Sequence, residues 1–263
     1  MTDKTPATPR PSATIVMVRD SDAGPEVLLV KRRAGYAFGN AYAFPGGVID
    51  PDESAARPVC QGLSGDDANK VLGVDNGLDY YSAVIRELFE ETGILLARDS
   101  DGNWPDDVSA FSEQRFAVDR YELAWPEFLR NEGLCMAADA LHYFAWWITP
   151  IVSPTRWTTR FFVAALPPGQ VAEPDGKEVT DSRWLKPKAA LELRLAGEIK
   201  LPQPTRRNLD LMADFESVDA LLKWADSQQE SGIESICPVQ VFVDGNELYP
   251  IPGDEHYPAA ESA

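Results

Sequence analysis

Short apolar, β-branched runs alternate along the chain with polar or Gly/Pro-rich breaks. Residues 13–18 and 26–30 are two such runs, and Asp20-Ser21-Asp22-Ala23-Gly24-Pro25 between them predicts a turn, so they are expected to pair as strands. Residues 141–148 and 160–166 predict buried strands, and Trp184-Leu185 closes another. Residues 239–243 and 247–249 flank Asp244-Gly245-Asn246, a hairpin signal. Helical spacing appears at 66–72, capped by Ser64 or Asp66 and stopped by Gly73, and at 79–92, where Gly93 is placed for a C-terminal stop. It appears again at 111–124, at 126–131 with proline leading, at 187–196, and as a pair over 204–224. Residues 1–12 are rich in Thr and Pro and are expected to be a disordered tail.

Composition narrows the class. With 263 residues, 44% hydrophobic and 25% charged, the chain has the ordinary globular mix and enough length for a self-sufficient core. Its 24 basic against 42 acidic residues give a formal charge of −18, which argues against nucleic-acid polymers and anionic membranes as partners. Cys60, Cys135 and Cys237 are scattered and odd in number, so neither a disulfide framework nor a zinc site is expected. The N-terminus lacks the apolar stretch of a secretory signal, and no apolar run reaches the ~18 residues of a membrane span. The C-terminal Glu261-Ser262-Ala263 is not a peroxisomal address, so a cytoplasmic location is expected.

The chemistry concentrates in Arg86-Glu87-Leu88-Phe89-Glu90-Glu91-Thr92-Gly93-Ile94. On a helix advancing ~100° per residue from Arg86, Glu90, Glu87 and Glu91 fall at ~40°, ~100° and ~140°. Leu88, Ile85 and Phe89 fall at ~200°, ~260° and ~300°, on the opposite side. One face is expected to pack while the other presents three carboxylates. Like charges at these spacings cost a few tenths of a kcal/mol each, roughly, which Arg86 offsets only in part through Glu90. A hard divalent cation such as Mg²⁺ or Mn²⁺ would compensate the remainder; the plain alternative is a solvated acidic face.

Upstream, Gly46-Gly47 is followed by Glu53 at the sixth position after Gly47. The two halves together resemble the signature box of the Nudix hydrolase superfamily. The five fixed identities of the second half arise by chance about once in 10⁶ starting positions at ordinary residue frequencies. Residues 54–85 intervene between the halves, 32 residues where the family's interval is seven. Such an interrupted box resembles the branch containing the peroxisomal coenzyme A diphosphatases. So do the stretch from Phe38 to Val48, the turn Trp147-Ile148-Thr149-Pro150, Arg160-Phe161-Phe162 and Leu201-Pro202-Gln203-Pro204-Thr205.

The resemblance implies a Nudix α/β/α sandwich with a mixed, curved sheet over residues 13–230, to which this chain is expected to add an insertion at 54–78, a helical segment at 105–132 and a C-terminal hairpin arm over 231–263. The arm is expected either to cover the core or to contact a second copy, forming a homodimer. The implied activity is metal-dependent hydrolysis of a small nucleoside diphosphate linked to another moiety, of the coenzyme A kind. A catalytically silent nucleotide sensor and an enzyme for non-nucleotide diphosphates are the alternatives. The resemblance makes Glu87, Glu90, Glu91 and the Gly46 carbonyl metal ligands for Mg²⁺ or Mn²⁺. It makes Arg86 an orienting group and Glu53 a structural support. Glu87 or Glu90 is ranked first as proton acceptor and Glu178 second. Arg33 and Arg160 are candidate phosphate contacts, and Tyr36, Phe38, Tyr42 and Phe44 candidate stacking partners for a base.

Overall fold

A computed structural model describes residues 5–35 and 39–258. Seven α-helices occur among them: α1 (Gly65–Leu72), α2 (Gly77–Thr92), α3 (Ser112–Asp119), α4 (Trp125–Asn131), α5 (Pro187–Leu195), α6 (Gln203–Met212) and α7 (Val218–Ser231). The strands in the first half are β1 (Arg10–Arg19), β2 (Glu26–Arg32), β3 (Tyr42–Ala43), β4 (Gly46–Val48), β5 (Cys60–Gln61) and β6 (Ala97–Arg98). Those in the second half are β7 (Cys135–Ala137), β8 (His142–Ile148), β9 (Trp157–Ala165), β10 (Val179–Leu185), β11 (Ser235–Ile236), β12 (Val241–Val243) and β13 (Asn246–Leu248). The main sheet runs β10-β2-β1-β9-β8-β11, with β3 added to β2 and β4 to β1. The β1–β9 and β11–β8 pairings are parallel and the others antiparallel, so the sheet is mixed.

Each face of this sheet carries its own core. Ala13, Ile15 and Met17 of β1, Leu28 and Val30 of β2, and Phe162 of β9 pack with Ile85, Leu88 and Phe89 of α2. The intervening Val16, Val18, Val27, Leu29 and Phe161 pack with Leu209, Met212, Leu221 and Ala225 of α6 and α7. Strand alternation thus produces two apolar faces, each covered by helices. This is the expected three-layer α/β/α arrangement.

The expected elements are present with local differences. The N-terminal strand begins at Arg10, because β9 continues beside it from the register Arg10↔Trp157 onward, so residues 10–12 belong to the sheet and not to a tail. Residues 1–4, Tyr36, Phe38 and 259–263 lie outside the described residues. The helix expected over 111–124 is confined to α3, and Tyr121 at φ +57° breaks its continuation. In the insertion, the Ser64 hydroxyl accepts from the Asp67 N–H at 3.1 Å and caps α1, and Gly73 at φ +65° ends it. The hairpin turn carries Asp244 at φ +50° and Gly245 at φ +80°, the left-handed pair its sequence signals. No helix among the described residues is long and apolar enough to cross a membrane.

The insertion is docked on α2. Gly77, at the start of α2, lies so close to α1 that a Cβ there would stand 2.4 Å from the Ala68 carbonyl carbon. Its N–H donates to Asn69 Oδ1 at 2.7 Å. Backbone cannot yield as a flexible side chain can, so Gly77→Ala is expected to cost about 1–3 kcal/mol through overpacking. Urea unfolding checks this: the midpoint falls with the slope unchanged, whereas an unaltered midpoint would contradict the contact.

Candidate active site

The box helix α2 lies on one face of the sheet, with Ile85 and Leu88 fully buried and Phe89 nearly so, as its periodicity requires. Its acidic stripe turns toward the short strand β4. There Gly46 adopts φ +146°, and a Cβ on it would stand 2.3 Å from the Ala13 carbonyl oxygen. A Cβ on Gly47 would stand 2.4 Å from the Glu87 carboxylate. The glycine pair therefore opens a notch at the sheet edge through which a carboxylate of α2 reaches the other side.

Beyond the notch is a cleft of about 550 Å³. Gly46, Gly47, Glu87, Arg32 and Glu178 line one end, and Trp147, Phe161, Pro204, Pro238 and Tyr249 line much of the rest. Ser12, Thr14, Thr159 and Phe161 of the adjacent β1 and β9 form its floor.

Two arginines organise the carboxylates. Arg86, nearly buried, donates from Nε to Glu53 at 2.7 Å and from Nη1 to Glu90 at 2.9 Å and Glu87 at 3.2 Å, and it pairs with Asp50 at 3.2 Å. Glu53 also accepts from the Ser82 hydroxyl at 2.5 Å. The 54–78 insertion has thus left Glu53 beneath the helix, and Arg86 orients Glu90. Arg32 donates from Nη1 to Glu91 at 2.9 Å and to the Gly46 carbonyl at 3.4 Å, and it pairs through Nη2 with Glu178. Glu91 is only 3% exposed and accepts the Gly46 N–H at 3.0 Å, which fixes the glycine loop to the helix.

The loop bearing Glu178 is stitched to the C-terminal end of α2. The N–H groups of Glu173 and Asp175 donate to the Thr92 and Glu91 carbonyls at 2.7 and 3.2 Å. Arg115 donates to the carbonyls of Glu90 and Glu173. The Asp175 carboxylate accepts from the N–H groups of Lys177, Glu178 and Val179. The orphan carbonyls at the helix end are used to fix a candidate catalytic carboxylate.

Sequence-expected residues divide accordingly. Glu87, Glu178 and Gly46 line the cleft, while Glu90 and Glu91 stand behind it. Phe44 lines the cleft as well. Arg33 points elsewhere, donating to the Lys177 and Gly176 carbonyls on the outside of the loop. Arg160 is 3% exposed on the opposite face of β9, stacked 3.6 Å from the Trp146 ring and donating to the Leu72 carbonyl at 2.9 Å. Neither is placed to meet a phosphate in the cleft. Arg32 is the arginine there: it shares the α2-facing side of β2 with Leu28 and Val30, but as the last residue of the strand it reaches Glu91, Glu178 and the Gly46 carbonyl beside the notch. Strand parity sets Arg160 with Phe162 on the core side, and Thr159 and Phe161 toward the cleft.

Among the described residues no three His, Cys, Asp or Glu side chains converge as a metal cage. Glu91 is paired to Arg32, and Glu87 and Glu90 to Arg86. The donor chemistry nonetheless suits a hard cation. It consists of carboxylate and carbonyl oxygens, and Glu87 and Glu90 each use only one oxygen on Arg86.

Burial raises the Glu87 pKa, and burial with the Glu87 charge nearby pushes Glu90 and Glu91 up to about 8, against the pull of Arg86 and Arg32. The folded protein therefore holds protons that the unfolded chain releases near 4.5. Stability from these groups is fully present below that pH and is lost as pH rises through about 8. In chelator, the thermal midpoint is expected to fall by several degrees between pH 5 and pH 8.5. A flat or rising midpoint across that window would contradict the arrangement.

Comparison with known proteins bears on this geometry. Residues 62–212 match the family model of the NUDT19 Nudix domain. The acyl-coenzyme A diphosphatase NUDT19 of Xenopus laevis is 27% identical over 271 residues, covering 89% of this chain and 71% of its own length. The Homo sapiens protein of the same name is 32% identical over 187 residues, covering 66% of this chain and 49% of its own. This match thus spans about half of the human relative. A crystal structure of a Nudix hydrolase from Alicyclobacillus acidocaldarius superposes with a TM-score of 0.66 at 23% identity, covering 82% of this chain and 96% of that one, and shares the fold.

Proposed function

The chain belongs to the NUDT19 Nudix domain family and is a Nudix diphosphatase, and on that premise we propose that it uses Mg²⁺ or Mn²⁺ to hydrolyse the diphosphate bridge of a coenzyme A-type nucleotide. The observation that carries this reading is one continuous cleft. It joins the glycine notch, Glu87, Arg32 and Glu178 to an extended apolar wall. Such a cleft suits a molecule with an anionic bridge and a long, weakly polar arm.

The reaction joins two anions, a hydroxide-like nucleophile and a diphosphate. Water adds to one phosphorus, the bridging P–O bond breaks, and the departing phosphate carries the bond's electron pair away. A divalent cation, when bound, neutralises phosphate oxygens and acidifies water. Glu87 and Glu90 would hold it, with the Gly46 carbonyl.

The remaining work falls to the chain's own groups. Arg32 is the cationic side chain of the cleft that meets phosphate oxygens, by charge-assisted hydrogen bonds. Glu178 takes the water proton: it is a third exposed, lines the cleft, and is oriented through one oxygen by Arg32. Arg86 keeps Glu87 and Glu90 aligned, and Glu91 keeps the glycine loop seated.

Two substitutions separate these roles. Glu178→Gln is expected to lower kcat by about 10²-fold or more at an unchanged metal-activation midpoint. Glu87→Gln is expected to shift that midpoint to higher metal concentration as well. The assay follows phosphate-bearing products from coenzyme A, ADP-ribose, NADH and dinucleoside polyphosphates, with Mg²⁺, with Mn²⁺ and in chelator. Full activity of both variants, or product formation in chelator, would refute the assignment; binding of an intact nucleotide without turnover would favour a sensor.

A further inference from the structure

The far wall of the cleft is built by residues that follow the family-matched span of 62–212, namely Pro238 and Tyr249 of the C-terminal arm. The arm is fixed at several points. Strand β11 joins the sheet beside β8, with Ser235↔Trp146 and Ile236↔Trp147 in register. Gln203 Nε2 donates to the Tyr249 carbonyl at 2.7 Å, and the Val239 N–H donates to the Pro250 carbonyl at 3.1 Å. Arg207 pairs with Asp254. Pro238 is buried and Tyr249 half-buried.

The chemistry of this wall selects its occupant. Trp147, Phe161, Pro204, Pro238 and Tyr249 supply apolar surface. Several polar groups beside them are engaged within the protein. The Ser12 and Thr159 hydroxyls bond each other at 2.7 Å, and Thr149 Oγ1 accepts the Trp157 N–H at 3.0 Å. Trp147 Nε1 donates to Asn208 at 3.3 Å, and the Gln203 amide N–H is spent on the arm. A nucleobase edge would surrender water here for few partners, whereas an alkyl group surrenders nothing and gains burial.

Distance agrees. From Gly47 on β4, the sheet crosses β1, β9 and β8 to reach β11, four strand spacings or about 19 Å. In a coenzyme A thioester, roughly a dozen bonds separate the phosphate ester oxygen from the sulfur, about 14 Å when extended at ~1.2 Å per bond. With the diphosphate at the glycine notch, the thioester and the first carbons of the acyl group arrive at the arm.

We infer that the C-terminal arm, through Pro238 and Tyr249, is the specificity element that binds the acyl group of a coenzyme A thioester; this rests on the diphosphatase reading above. The test uses the full chain and the series coenzyme A, acetyl-, butanoyl-, hexanoyl- and octanoyl-coenzyme A. Turnover is measured with Mg²⁺, and Kd is measured separately in chelator by quenching of tryptophan fluorescence. Each buried methylene is worth up to about fourfold. Wild-type kcat/KM is therefore expected to rise at least about tenfold from acetyl to octanoyl, with Kd falling in parallel. Tyr249→Ala is expected to reduce that advantage several-fold, and Tyr249→Phe, which keeps the ring, to preserve it. Hydrolysis of coenzyme A with no dependence on acyl length, or a Tyr249→Ala variant with the wild-type slope, overturns the inference and leaves the diphosphatase reading intact. Tightening of Kd with length in the absence of any turnover sinks the diphosphatase reading and keeps the arm's role. No length dependence in either measurement, with no turnover, sinks both.

Discussion

Arg86 is the constraint on which the site depends. Its nearly buried guanidinium faces four carboxylates, those of Asp50, Glu53, Glu87 and Glu90, drawn from two segments 32 residues apart. Removing one partner from a buried ion pair typically costs several times what the assembled pair contributes, so each member enforces the presence of the others. Through this one side chain, the support beneath the helix, the insertion's starting point and the orientation of the acidic stripe are settled together. Arg32 plays the corresponding part on the cleft side, tying Glu91 of the helix to Glu178 of a distant loop.

The glycine pair has a physical meaning that its place in a motif does not convey. The helix and the cleft lie on opposite faces of one sheet, and a sheet is normally opaque to side chains. Omitting a Cβ at Gly47 leaves room for the Glu87 carboxylate against β4. Gly46 at positive φ brings the chain against Ala13, with its N–H directed at Glu91. Core packing on one face is thereby converted into negative charge presented on the other.

Much of this was legible in the sequence. The periodicity of α2 assigned its core face correctly, and Ser64, Gly73, Gly93 and the Asp244-Gly245 turn marked boundaries through conformations that local chemistry dictates. Less legible features depended on partners distant in sequence. Two-residue strands such as β5 and β6 are too short to carry a period, and they exist because β7 lies between them. The stripe expected to present three carboxylates is partly covered, since Glu91 is claimed by the glycine loop. The inward turn of Arg160 follows from strand parity, whereas Arg32, on the same face, meets the cleft only because its strand ends beside the glycine notch, which parity does not encode. Which carboxylate meets the cleft depends on the notch and on the loop stitched to the helix end, and no local pattern encodes either.

The interrupted box gains a further sense from how its two ends are held. Closing a flexible loop of 32 residues in place of seven costs only about 1 kcal/mol more, because the entropy grows with the logarithm of length. The Arg86–Glu53 contact anchors both ends whatever lies between. Yet the segment is no idle loop, for Ala68 and Leu72 of α1 are buried in the same core as α2. Growth at this junction is therefore thermodynamically cheap, while trimming it would strip apolar cover from the helix that carries the chemistry. Having once admitted the segment, the fold has made it difficult to surrender, and chain length here behaves as a ratchet.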